Sequence, residues 1–232
     1  MAPRDSYTPQ AGATLPGLKS WRGGRFIPGM PDCFTGGFVQ TNGYLLETPE
    51  GGHVLIDAPM GISQWLEQRG IRPQALLLTH QHYDHVEDAA AVSALGAKVY
   101  AFAPYSTILT LEERVRAWGL PIEVTPYSVD QLLEGSAGLE IGSLKIQLSH
   151  VPGHSTDSVT FYLPERGELY AGDTLFAGSI GRADLPGGNM GQLVDGIREK
   201  LFVLPDETRV FPGHGPATTI GAERAENPYV GD

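Results

Sequence analysis

Seven side chains in this sequence have the types and spacing to hold metal ions. Four fall in one run, His80-Gln81-His82-Tyr83-Asp84-His85, an H-x-H-x-D-H pattern. His80 and His82 are two apart, so in an extended loop both point the same way. Asp84 and His85 follow as the chain turns and can point elsewhere, which suits two adjacent sites better than one crowded site. Three more candidates come later, each directly after a glycine: His154 in Pro152-Gly153-His154, Asp173 in Gly172-Asp173, and His214 in Pro212-Gly213-His214. Glycine lets the backbone turn sharply and removes bulk beside a site. Imidazole together with carboxylate suits zinc, iron or manganese. Seven ligands are too many for one tetrahedral zinc. They fit two ions if one carboxylate bridges them. Two ions about 3.5–4 Å apart can ionise a shared water and polarise a carbonyl or phosphoryl oxygen, which is hydrolase chemistry.

The other titratable residues near these positions have quieter readings. His53 starts a strand, and His150 falls on the apolar face of Leu144, Ile146 and Leu148, so both read as structural. Asp57 ends a strand near the cluster and reads as hydrogen-bonding support, since loops that carry ligands need fixing.

The elements that must position the seven are strands with turns at their ends. Ala75-Leu76-Leu77-Leu78-Thr79 is a buried strand that delivers the first cluster, and Val86, Ala89, Ala90 and Val92 recur at helical spacing after it. Open α/β sheets place ligands at such strand ends. Upstream, Phe38–Glu47 and His53–Asp57 flank Pro49-Glu50-Gly51-Gly52, a hairpin signal. Ile62–Arg69 reads as a short helix. Lys98–Phe102 reads as a strand. Ile108, Leu111, Val115 and Trp118 recur at helical spacing, with Glu112 and Arg116 paired and Gly119 as a stop, and predict one amphipathic helix that serves packing alone. Leu144, Ile146 and Leu148 alternate with polar residues as a half-buried strand. Ser158–Leu163 and Glu168–Gly172 form a second hairpin. Asn189 caps a helix carrying Leu193, Ile197 and Leu201, ended by Pro205. Thr208–Phe211 is the last strand expected. Strands then helix, twice over, with no break in composition, predict one domain of two packed sheets with helices outside. Residues 1–24, rich in Pro, Gly, Ser and Thr, read as a loose arm before a domain at 25–232.

Composition narrows the function classes. The chain has 232 residues and a net charge of −11, which argues against a nucleic-acid surface and weakly against anionic membranes. Bound cations would balance part of that acid. One cysteine, Cys33, excludes an internal disulfide framework and reads as a small, partly buried side chain. No run of about 18 apolar residues spans a membrane, and the N-terminus lacks the plan of a secretory signal. A cytoplasmic location is the default.

With these residues laid out, the sequence resembles the metallo-β-lactamase superfamily. H-x-H-x-D-H, then Gly-His, Gly-Asp and Gly-His in that order, carries the likeness from about Gly37 to Pro228. The resemblance implies an α+β fold, an αββα sandwich of two packed mixed sheets with helices on the outer faces. By position, His80, His82 and His154 would hold the first metal. Asp84, His85 and His214 would hold the second, with Asp173 bridging. Gly172-Asp173-Thr174-Leu175-Phe176, Ser179-Ile180-Gly181-Arg182-Ala183-Asp184, and Pro212-Gly213-His214-Gly215-Pro216 followed by Glu223 and Asn227-Pro228 resemble the glyoxalase-II-like branch, the hydroxyacylglutathione hydrolases, in a short single-domain form. In that branch a hydroxide held by two ions, most often zinc, attacks a thioester carbonyl and a thiolate leaves. Asp84 would orient the hydroxide as well as bind metal. Arg182 would bind a substrate carboxylate or phosphate, or else form a structural ion pair.

Three departures from the branch stand out. Val86-Glu87-Asp88 replaces a usual glycine pair. The C-terminal helical domain that supplies basic groups for glutathione is not in the sequence. Gly215-Pro216 stands where a tyrosine often follows the last histidine. The implied partner is a small-molecule thioester, with neither nucleic acid nor membrane, in a monomer or homodimer. The competing readings are a mononuclear iron enzyme like the persulfide dioxygenases, a lactone or β-lactam hydrolase, and a non-catalytic metal-binding protein.

Overall fold

The computed structural model describes residues 31–231. The expected arm at 1–24 and the first six residues of the expected domain lie outside the described residues.

Two mixed six-stranded sheets organise the chain. The first runs in sequence order: β1 (Asp32–Gly36), β2 (Thr41–Glu47), β3 (His53–Ile56), β4 (Ala75–Leu77), β5 (Lys98–Ala101) and β6 (Gln131–Leu132). β1, β2 and β3 pair antiparallel, and β3 to β6 pair parallel. The second sheet holds β7 (Gly138–Ile141), β8 (Leu144–His150), β9 (Val159–Leu163) and β10 (Glu168–Gly172). The short hairpin β11 (Leu175–Phe176) and β12 (Ser179–Ile180) stands apart. Then β13 (Arg209–Pro212) pairs parallel with β10, and β14 (Thr218–Thr219) closes the edge.

Strand alternation explains the layering. Successive residues point to opposite faces, and in the central strands both faces are apolar. Tyr44, Leu46, Val54, Ile56, Ala75 and Leu77 of the first sheet meet Ile146, Phe161, Tyr170 and Phe211 of the second in one core. The residues between them, Leu45, Leu55 and Leu76, face outward under Ile62 and Leu66 of α1 (Ile62–Gln68) and Val92 of α3 (Ala89–Ala94). On the far side, Leu169, Ala171 and Val210 lie under Leu193 of α6 (Met190–Gly196), Ile197 and Leu201 of its π-helical last turn (Ile197–Leu201), and Ile220 of α7 (Ile220–Glu226). Four layers, helix-sheet-sheet-helix, follow from that two-faced burial. Each fully buried Leu or Ile contributes about 1.5–3 kcal/mol. Among the described residues, no helix is long and apolar enough to cross a membrane.

The structure corrects four expectations. Phe38, Val39 and Gln40 belong to the turn between β1 and β2, where Gln40 has a φ of 60°, so β2 starts only at Thr41. The helix expected across Ile108 to Trp118 is two helices, α4 (Thr107–Thr110) and α5 (Glu112–Ala117), because Leu111 between them is left-handed at φ 56°. Leu111 and Val115 are buried as expected, but Ile108 is 78% exposed and Trp118 57%. Thr208–Phe211 is not the last element, since β14 and α7 follow it. Thr219 caps α7 by accepting a hydrogen bond from the Ala222 N–H at 3.2 Å. Cys33, expected to be partly buried, is exposed on the edge strand β1.

Candidate metal centre

Every one of the seven candidate ligands stands at or just beyond the carboxyl end of a strand. β4 leads through Thr79 into His80, His82 and α2 (Tyr83–Val86), which carries Asp84 and His85. β8 leads to His154, β10 to Asp173 and β13 to His214. β8 and β10 both run antiparallel to β9, and β10 is parallel to β13, so all three open at the same edge of their sheet. The Val159 N–H donates to the Thr79 carbonyl at 2.8 Å and joins that edge to the end of β4.

The side chains converge. The rings of His80, His82 and His154 stand with centroids 4.5–4.9 Å apart, and their donor atoms form one cluster able to hold an ion. Asp84, His85 and His214 form another, and Asp173 joins His80 and His85 in a third. Asp173 reaches both sides. Its Oδ1 lies 3.3 Å from His85 Nε2, and its Oδ2 lies 3.3 Å from His214 Nε2 and 3.5 Å from His154 Nε2. Asp84 Oδ2 lies 3.3 Å from His214 Nε2 and 3.4 Å from His85 Nε2. Two donors at about 2.1 Å from a tetrahedral ion stand about 3.4 Å apart, so these spacings match the edges of a coordination shell.

A test of fit comes from hydrogen bonding. Buried polar atoms are normally paired, yet His80 Nε2, His85 Nε2, His154 Nε2 and Asp173 Oδ1 are buried without a hydrogen-bond partner. The opposite ring nitrogens are engaged. His85 Nδ1 lies 2.8 Å from Asp57 Oδ2, His154 Nδ1 lies 2.8 Å from the Arg182 carbonyl, and His80 Nδ1 lies 3.1 Å from Thr79 Oγ1. Ring nitrogens fixed on one side and unpartnered on the other are what metal ligation requires. The donor set fits divalent ions.

Electrostatics agrees with that fit. Burial, with His85 and His82 nearby, holds the His80 imidazole well below its usual range. Burial and His154 bring His82 down to about 3. Both rings are therefore neutral and ready to donate. Burial pushes the Asp84 carboxyl up, but His85 and the His214 hydrogen bond outweigh it and hold it at about 2. Asp173 is held well below the carboxylate range against its burial, chiefly by His85 and His214. Burial lowers His214, yet its bonds to Asp173 and Asp84 raise it to about 10. His85 is raised well above its usual value, against burial, by Asp84, Asp173 and Asp57.

The close approach of the loops demands glycine at all three positions before a candidate ligand, Gly153 included, where a methyl group would come 2.5 Å from the Leu193 backbone nitrogen. Gly172 has a φ of +52°, and a methyl group there would come 2.5 Å from Thr79 Oγ1. A methyl on Gly213 would collide with Asp173 Oδ1 and stand 2.6 Å from His85 Cε1. Asp57 takes its expected supporting place. Its Oδ1 accepts from the Thr79 N–H and its Oδ2 from the Thr79 hydroxyl, each at 2.8 Å. His150 stacks on Phe102 at 3.9 Å, away from the cluster. The Arg182 guanidinium is exposed and makes two 2.7 Å bonds to Asp184.

Three supporting residues, Thr41, Asn42 and Gln81, carried no signal in the sequence. Thr41 donates its hydroxyl to Asp84 Oδ2 at 2.6 Å, and Asn42 Nδ2 donates to the Pro212 and Gly215 carbonyls on either side of His214. Gln81 donates to the Ala103 and Pro104 carbonyls and accepts from the Tyr127 hydroxyl. Glu223 ties α7 to the Gly178 N–H, in the turn between β11 and β12.

With fold and donors in view, the comparison with known proteins is decisive, since the model of the Metallo-beta-lactamase superfamily matches residues 36–214. The chain belongs to the metallo-beta-lactamase superfamily. It is similar to the probable metallo-hydrolase YqgX of Bacillus subtilis (strain 168), at 35% identity over 84% of this chain and 94% of that one. It is similar to the hydroxyacylglutathione hydrolase GloC of Haemophilus influenzae at 32% identity over 82% and 93%. Among solved structures, TTHA1623 in a di-iron-bound form superposes with a TM-score of 0.74 at 40% identity, covering 86% of this chain and 99% of that one. The BLEG-1 B3 metallo-beta-lactamase gives 0.78 at 36%, covering 87% and 99%. The chain is thus a metallohydrolase of this superfamily, with His and Asp clusters suited to divalent metals.

Proposed function

We propose that the protein is a binuclear metallohydrolase that cleaves thioesters, with zinc in both positions. The observation that carries the reading is the set of unpartnered buried ring nitrogens converging on Asp173. His80, His82 and His154 would hold one ion, Asp84, His85 and His214 the other, and Asp173 would bridge. When bound, the two ions supply a nucleophile from water at neutral pH and polarise the scissile carbonyl. Asp84 stays ionised at neutral pH and is anchored by Thr41, so it can accept a hydrogen bond from the attacking water and orient it.

Leaving-group chemistry favours the thioester. Asp84 and Asp173 are both held ionised, so neither is a proton donor. A thiol with a pKa of about 8.5 departs as thiolate unaided, whereas the amine released from a lactam requires a proton. The 32% identity to a protein named as a hydroxyacylglutathione hydrolase supports the same reading. The zinc-loaded chain should therefore release thiol from hydroxyacylglutathione, followed with a thiol-reactive dye. His82→Ala and Asp173→Ala should each cut kcat/KM by at least about a thousandfold, with circular dichroism unchanged. Retained turnover in both variants, or opening of lactones and lactams with thioesters left intact, would overturn the assignment.

A further inference from the structure

A cleft of about 120 Å³ opens directly beside His82. Ile108, Leu109, Leu111, Ser155, Thr156 and Pro186 line it. Among the described residues, no lysine, arginine or carboxylate lines it. The wall around Leu111 has an unusual local conformation. Leu111 is a non-glycine residue at φ 56°, a left-handed conformation that side chains disfavour. Its left-handed turn ends α4 and starts α5. Backbone strain of this kind gathers at ligand sites. Ile108 stands 78% exposed at the rim with its apolar surface in water. Gly187, which also lines the cleft, lies at φ +83° and so close to Thr156 that a methyl group on it would stand 3.1 Å from Thr156 Cγ2.

We infer that this cleft receives an uncharged aliphatic group of about four or five carbons flanking the scissile carbonyl of the substrate. The reading rests on the metallohydrolase function above and deepens it. An apolar cavity of about 150 Å³ takes a benzene ring, which sets the size. The absence of a charged wall sets the polarity, because a carboxylate or ammonium placed here would lose its hydration without gaining a partner. Arg182, the cation expected to receive an anionic substrate group, is engaged by Asp184.

The test uses a binding readout independent of turnover. Alkyl hydroxamates from aceto- to octanohydroxamate are titrated calorimetrically into the zinc-loaded full chain, the hydroxamate anchoring on the ions. Kd should fall about twofold to fourfold per methylene up to about five carbons, then level off. Ile108→Asp, at an exposed position that does not endanger the fold, should flatten the series, and Leu109→Asp should do the same. A Kd independent of chain length, or one that both variants leave unchanged, overturns the inference. A chain-length series that behaves as stated while no thioester is hydrolysed upholds the cleft and sinks the thioester assignment. Thioester turnover with a flat series does the reverse.

Discussion

Asp57 is the single side chain outside the ligand set on which most of the site leans. It stands at φ 59°, a conformation that Asp tolerates better than most residues. From there it fixes the ring of His85 and both hydrogen-bonding groups of Thr79. Asp57→Asn keeps the shape but loses an acceptor and the charge. It should weaken metal affinity by about 10- to 100-fold in a competitive chelator titration, with the fold intact by circular dichroism. An unchanged affinity would show that His85 is oriented by other contacts. A pH dependence follows at the same scale. His85 is raised well above its usual pKa and His214 to about 10, so both carry protons near pH 7 in chelator-stripped protein. Asp84, held at about 2, is already ionised. Ion binding must displace the histidine protons, so apparent affinity should rise with pH from 6 toward 9, by up to about tenfold per displaced proton per unit. Affinity that is flat over that range would contradict the protonation states. The seven candidate ligands could be picked out in the sequence, four because nothing in core packing calls for H-x-H-x-D-H and three because each directly follows a glycine in a turn after a strand. Thr41, Asn42 and Gln81 were not, since a single polar residue reveals its acceptor only once distant strands are brought together.

At the scale of elements, the site is a consequence of where β4, β8, β10 and β13 stop. Those stops were readable from strand patterns followed by Thr79-His80 after β4 and by Gly-His or Gly-Asp after the other three. The reason for glycine differs between positions, and only the structure separates them: Gly172 is set by a left-handed backbone as well as by Thr79, and Gly213 by the space that Asp173 and His85 occupy. Gly213→Ala should therefore displace two ligands at once. We expect loss of at least about half the bound metal, measured by elemental analysis, from a chain that still folds. Full metal content would mean that the loop after β13 yields freely. The segment from Ile108 to Trp118 shows where periodicity runs out. Its apolar spacing is helical throughout, but Leu111 adopts a left-handed backbone that no spacing encodes, and Ile108 and Trp118 end up exposed. The helix α7 was missed for a related reason. It has seven residues, too few for a periodic pattern to stand out, and is held by its Thr219 cap and by Glu223.

At the scale of the molecule, the two sheets contribute different candidate ligands to one edge, and direct bonds sew that edge together. The Tyr44 hydroxyl in the first sheet donates to the Pro212 carbonyl in the second at 2.7 Å, and its ring packs on Tyr170 and Phe211. Tyr44→Phe keeps the packing and leaves that carbonyl one donor short. It should cost about 1 kcal/mol and lower the melting temperature by about 2–4 °C. An unaltered melting curve would show that Asn42, which also donates to Pro212, suffices. The two-sheet architecture was legible because strands then helix recur twice with no break in composition. The pairing order was not, because β10 and β13 are brought together across the intervening hairpin and α6.

The central claim is that the donors form two joined ion sites. The most direct measurement is metal stoichiometry, obtained by titrating chelator-stripped full-length protein with zinc and confirmed by elemental analysis of chain purified without a metal-affinity tag. The account predicts about two equivalents per chain, falling to about one in His214→Ala. About one equivalent in the unaltered protein, with iron preferred and His214→Ala without effect, would contradict it and point to mononuclear chemistry instead.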